Sequence, residues 1–211
     1  MLGIQTNFLR HALMPLLLLL ACSTSFADDH HVDAAENHGD WHSLIVHTGS
    51  FSFARAITLR VDDEGEISTF NIDSPVTDCS SVLFTVNINL SEIQDDDVES
   101  PTLFGKFRVD NRAIHDITYT LNIERGEDYI SLIISDWSKS DSVLQEIMSG
   151  NTARFQFKID GKAYYYRFSL KGSREAMERQ DKICRQLSKD DDDFFNEPEE
   201  DEEDDAVYFT A

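Results

Sequence analysis

The sequence predicts a mainly β (α+β) fold: an antiparallel β-sandwich-like body with one short helix and a C-terminal amphipathic helix, stapled by a disulfide. Three observations carry this expectation. Apolar residues alternate with polar ones through the middle of the chain, the signature of half-buried strands. An Asp160-Gly161 pair joins two aromatic-rich runs, as a tight hairpin requires. A late helical stripe carries Cys184 on its apolar side, pointing inward as a bond to Cys79 in an early loop would require. The 211 residues suit one domain, and 41% hydrophobic with 10% aromatic content is enough to build a core.

The elements follow in order. Residues 1–27 read as an export signal: Arg10 and the free amine supply positive charge, Leu16 to Leu20 lie in a short apolar run, and Ser25-Phe26-Ala27 offers small residues at alternate positions for cleavage. The run is about half the ~20 residues a membrane-crossing helix needs, so the mature chain is expected to have no transmembrane helix. An alternative is cleavage before Cys22, because Leu19-Leu20-Ala21-Cys22 resembles the lipobox of bacterial lipoproteins. A lipid on Cys22 would then anchor the protein to a membrane. The expected location is periplasmic or secreted, or membrane-anchored under the lipoprotein alternative.

Residues 28–40 form an aspartate- and histidine-rich segment without periodicity, read as a flexible arm. Residues 41–188 make the β-rich domain. Within it, Ala54 to Val61 and Glu66 to Ile72 flank the turn Asp62-Asp63-Glu64-Gly65. Val82, Phe84, Val86, Ile88 and Leu90 form an alternating strand. Leu103 to Val109, Ala113 to Asn122 and Tyr129 to Ser135 supply three more.

A short helix begins at Ser142, where Ser142 and Gln145 have capping-box spacing, and ends at Gly150. The hairpin from Thr152 to Leu170 then sets a register. Phe157 faces Tyr164, Phe155 faces Tyr166 and Ala153 faces Phe168, an aromatic ladder contributing roughly 0.2–1 kcal/mol per pair. The second helix starts near Ser173, with Ala176, Met177, Ile183, Cys184 and Leu187 on one stripe. Residues 189–211 read as a disordered acidic tail, since twelve acids crowd between 190 and 205.

After the signal is removed two cysteines remain, Cys79 and Cys184. In an oxidising compartment they have one intramolecular pairing open to them, the alternative being two buried free thiols.

The run Tyr166-x-Phe168-x-Leu170-x-Gly172-Ser173-x-x-Ala176 followed by Cys184 resembles small exported proteobacterial proteins of the type VI secretion-associated accessory and invasion-associated locus B kinds. Phe107-Arg108-Val109-Asp110 and Ser135-Asp136-Trp137 fall where those proteins carry similar strand and turn residues, so the likeness spans about residues 79 to 188. It implies a small β-rich envelope protein with no known catalytic machinery.

Charge excludes one class of function. Against 40 Asp+Glu there are 18 Lys+Arg, a formal net charge of -22, so there is no basic footprint for nucleic acid. Catalytic signatures are also missing: no G-x-S-x-G, H-E-x-x-H, C-x-x-C, phosphate-binding glycine loop or EF-hand loop occurs. The chain is therefore read as no enzyme, with no cofactor. The leading expectation is a non-catalytic exported envelope protein that binds another protein, a cationic one given the acidic field. A secretion-system accessory and an inhibitor of a basic enzyme both fit.

Two local chemistries stand beside that reading. Cleavage after Ala27 would expose Asp28-Asp29-His30, whose amine, two amides and imidazole can enclose Cu(II) or Ni(II) in a square plane. His31, His38, His42 and His47 could add imidazoles, so periplasmic binding of Cu, Ni or Zn is the alternative function. On the hairpin, Arg154 lies opposite Arg167 with Lys158 nearby, an unfavourable pairing unless an anion sits there. The solitary late histidine His115 reads as a hydrogen-bonded structural residue. A hydrolase of unknown type, using surface carboxylates, is the third reading.

Overall fold

The computed structural model describes residues 31–90, 98–99, 102–123, 125–126, 128–136, 140–159 and 161–195. The export signal, Cys22, Asp28-Asp29-His30, Trp137, Asp160 and the tail beyond residue 195 lie outside the described residues.

Eleven strands and two helices follow one another as β1 (His31–His38), β2 (Trp41–Thr48), β3 (Phe51–Val61), β4 (Ile67–Pro75), β5 (Leu83–Asn89), β6 (Val98–Glu99), β7 (Leu103–Val109), β8 (His115–Ile123), β9 (Tyr129–Asp136), α1 (Ser140–Ser149), β10 (Thr152–Ile159), β11 (Lys162–Ser169) and α2 (Ser173–Phe195). Ten strands lie in the order β1-β2-β3-β4-β5-β9-β8-β7-β10-β11, and β6 pairs with β8. Neighbours along this path are antiparallel.

Alternation explains which face is buried. Phe70 and Ile72 of β4, Phe84 and Val86 of β5, and Phe155 and Phe157 of β10 are all nearly inaccessible. The sheet folds over so that its two halves meet: the Phe70 ring lies 5.0 Å from Phe155 and 5.8 Å from Phe168. Tyr119 seals one end of this core, its hydroxyl donating to the Lys158 carbonyl at 2.8 Å and accepting the Lys158 N–H at 2.9 Å. Burial pushes that phenol's pKa up, outweighing the opposing N–H bond.

Hydrogen bonds tie the start of β2 to the end of β11, among them one from Ser169 Oγ–H to Asp40 Oδ2 at 2.6 Å. Trp41 Nε1–H donates to the Ser169 carbonyl at 2.8 Å, and the Asp40 N–H donates to the Lys171 carbonyl at 3.0 Å. The chains come so close here that a Cβ on Gly172, at φ +92, would sit 1.3 Å from the His38 carbonyl oxygen. Only glycine satisfies both demands.

The β10–β11 register is the one the sequence predicts, with Phe157 opposite Tyr164, Phe155 opposite Tyr166 and Arg154 opposite Arg167. Strands β7, β8 and β9 lie within two residues of expectation. Other features differ: β2 is a strand the alternation does not single out, β3 begins at Phe51 rather than Ala54, and β4 ends at Pro75 rather than Ile72. The short helix begins at Ser140 rather than Ser142, which puts Asp141 in the first turn, where the helix dipole favours an acid. The segment read as a flexible arm contains β1, held by its ladder to β2 although it has no apolar face. The second helix runs to Phe195, past residue 189, because each residue added to an existing helix gains a backbone hydrogen bond.

Cys79 and Cys184 form the disulfide, with Cα atoms 5.7 Å apart and a sequence separation of 105. Closing a loop of that length stabilises a fold by about 4.7 kcal/mol in the chain-entropy view.

Candidate functional site

Helix α2 lies across the open side of the sheet, and its inward stripe explains how. Ala176, Met177, Gln180, Ile183 and Cys184 are buried along it. Gln180, which the apolar stripe omits, donates to the Ala54 carbonyl at 3.1 Å and to Ser74 Oγ at 3.0 Å, fixing α2 over β3 and β4. The disulfide fixes the next turn. Its Cys79 sits in a loop organised by Asp78, whose carboxylate accepts Ser80 Oγ–H at 2.6 Å and the Ser81 hydroxyl. Those bonds hold the Asp78 carboxyl below its usual range.

A groove of about 510 Å³ opens between α1 and α2. Leu144, Met148 and Met177 give it an apolar wall, with Ile72 beneath. Asp141, Glu178 and Asp181 stand around it. Asp181 is engaged by Arg185 at 2.9 Å, whereas Glu178 is 3.9 Å from Arg174 and Asp141 has no ion pair among the described residues. An adaptable thioether surface beside carboxylates suits an apolar segment carrying a positive charge.

A second cluster lies on the β1–β2 ribbon. His31 and Asp33 are two residues apart on a strand and share a side, and His31 pairs with His47 on β2. Asp33 Oδ2 lies 3.4 Å from His31 Nε2 and 3.3 Å from His47 Nε2, while the imidazoles stack with centroids 4.2 Å apart. His47 Nδ1 lies 2.9 Å from Ser52 Oγ. The other histidines named from sequence do not join them. His38 bonds Ser43 Oγ at 2.7 Å, and His42, five residues from His47, faces the opposite side of β2. Asp28, Asp29 and His30 lie outside the described residues, so of the proposed N-terminal metal ligands only His31 is placed.

The arginine pairing is more extensive than the hairpin alone suggests. Arg154 pairs with Arg167 on one side and with Arg108 of β7 on the other. Arg60 of β3 joins Arg154, Arg167, Tyr165 and Tyr166 around a hollow of about 330 Å³ where β11 approaches β3. Lys158 does not line it, being four residues, ~13 Å, further along β10. Among the described residues no carboxylate is within ion-pair distance of these arginines; Arg154 donates instead to the Asp110 carbonyl.

Two expectations about lone groups have structural readings. His115 Nε2 lies 3.2 Å from Glu146 Oε2 of α1, tying β8 to that helix. Asp62 accepts the N–H groups of Glu64 and Glu66 at 3.0 and 2.9 Å, so its carboxylate closes a hairpin turn.

Sequence reasoning missed Asp33, the groove acids, Arg60 and Arg108. For the first, the Gly39-Asp40 dipeptide signals a hairpin turn, but a straight count from it misses the one-residue register shift that brings Asp33 to the histidines. The others depend on strand order and helix placement, which no local pattern encodes.

Fold and surface together define a mainly β, disulfide-bonded protein with polar clusters around an aromatic core. No protein-family profile matches the chain, and no curated protein matches it. Among solved structures it is similar to invasion associated protein B from Bartonella henselae, with 13% identity, a TM-score of 0.48 and coverage of 73% of this chain and 99% of that one. The likeness is weak, and it falls on one of the kinds of protein that the sequence resembles.

The disulfide is of the sort that persists in oxidising, non-cytoplasmic surroundings. No helix among the described residues is long and apolar enough to cross a membrane.

Proposed function

We propose that this is an exported, non-catalytic envelope protein that binds a basic protein partner through the groove between α1 and α2. The observation that carries the reading is the meeting of Leu144, Met148 and Met177 with Asp141 and Glu178 in one depression. A partner would insert an apolar side chain between the helices and set Lys or Arg beside the carboxylates. The chain's formal charge of -22 would speed that encounter, and salt would slow it.

A photo-crosslinking residue in place of Leu144, used in the cells that make the protein, tests this. The expected adduct is with a basic protein, and it disappears when Asp141 and Glu178 are both changed to Lys. An adduct with an acidic protein, or one indifferent to the double change, rejects the reading. So does equal labelling from a control probe on Thr102, an exposed residue that does not line the groove.

A further inference from the structure

We propose that His31, Asp33 and His47 form a site for a divalent transition-metal ion of zinc type, on the exposed β1–β2 ribbon and separate from the helix groove. Zn(II) takes neutral imidazole nitrogen and carboxylate oxygen together, and three protein ligands leave a fourth position for water or a ligand from elsewhere. Metal–ligand bonds of roughly 2.0–2.1 Å place tetrahedral neighbours about 3.3 Å apart. Asp33 Oδ2 already stands 3.3 Å from one imidazole nitrogen and 3.4 Å from the other. The three ligand atoms lie within 4.8 Å of one another, so closing the site needs only a tilt of two half-exposed rings.

The backbone builds this arrangement specifically. A straight count from the Gly39-Asp40 turn would place His31 opposite Thr48. The register shift between Asp33 and Glu36, where Ala34 takes φ 52, places it opposite His47 instead. The extra residue of a bulge re-aims side chains, and here it brings the two imidazoles over one carboxylate.

The surroundings suit a metal as well. Metal-bound imidazole usually offers its other nitrogen to a hydrogen-bond partner, which fixes its orientation. His47 Nδ1 has Ser52 Oγ at 2.9 Å for that purpose. A hydroxyl both donates and accepts, so it serves His47 with or without an ion at Nε2. The ribbon is held against the body at its other end, where Glu36 pairs with Arg179 of α2 at 2.7 Å.

Zinc titration of the oxidised protein, followed by calorimetry, reads the site directly. One equivalent of Zn(II) is expected to bind. Asp33→Asn and His47→Ala should each weaken binding at least ~10-fold, and Ser52→Ala by about 10-fold as an outer-sphere partner. His30→Ala should bind as the parent does, which separates this site from the square-planar N-terminal one. Co(II) in place of Zn(II) should give the intense visible bands of tetrahedral coordination, lost in His47→Ala. Circular dichroism on each variant establishes that the fold persists, and Ser52→Ala, the mildest change, reads the site should His47→Ala unfold. Absence of zinc uptake by the parent, unchanged affinity in Asp33→Asn and His47→Ala, or loss of binding in His30→Ala alone would each overturn the proposal.

Discussion

Strands β10 and β1 show how differently one sheet can use its members. Strand β10 is paired on both sides and buries Ala153, Phe155 and Phe157 almost completely. Strand β1 is paired on one side, and seven of its eight residues are exposed. What β10 contributes is packing: Phe155 lies within 6.0 Å, ring to ring, of Phe70, Phe107, Phe157 and Phe168. What β1 contributes is exposed polar groups, because a strand that carries no core can hold His31, Asp33 and Glu36 facing water and neighbouring groups. Core packing and exposed polar groups thus fall toward opposite ends of the strand order.

The largest effect is expected in the core. Phe155→Ala should cost about 3–5 kcal/mol, read as a fall in the urea midpoint, since the cavity would open among four rings. A change under about 1 kcal/mol would mean that the aromatic core is not the main support. Next in size, Cys184→Ser should cost roughly 2–5 kcal/mol by releasing the α2 crosslink. The same variant should weaken crosslinking through the groove, because α2 forms one of its walls.

A smaller effect sharpens the account by pH. Asp110 accepts the N–H groups of Asn151 and Thr152 at 3.0 and 2.9 Å where α1 returns to β10. The Asn151 bond leads in holding its carboxyl below the usual range, against a burial effect that would raise it. A depressed folded-state pKa gives stability that is present above the ordinary carboxylate range, about pH 4, and is lost as pH falls through the folded value. Asp110→Asn should flatten the acid limb of a stability profile followed by tryptophan fluorescence, and an unchanged limb would assign acid sensitivity elsewhere. Smallest of all, His31→Ala should alter unfolding free energy by no more than ~0.5 kcal/mol, as expected for an exposed position.

Legibility from sequence follows the same division. The β10–β11 register was readable because alternation and the Asp160-Gly161 turn both act locally and agree. The disulfide was readable because a helical stripe aimed Cys184 inward and Cys79 was the remaining partner. Strand β1 was not, since its residues show no apolar alternation and its pairing with β2 carries a register shift that no local pattern announces. The arginine row was half visible: Arg154 and Arg167 meet across a turn, but Arg108 and Arg60 arrive through pairings distant in sequence. The groove was invisible for the same reason, requiring two helices to be placed relative to one sheet.

Native-state amide exchange with and without Zn(II) tests the division of labour most directly. Amides of β7 and β10 should exchange only through global unfolding, while those of β1 exchange much faster and slow when zinc is added. Contrary results would be β1 protected as strongly as β10, or zinc protection spread evenly through the sheet.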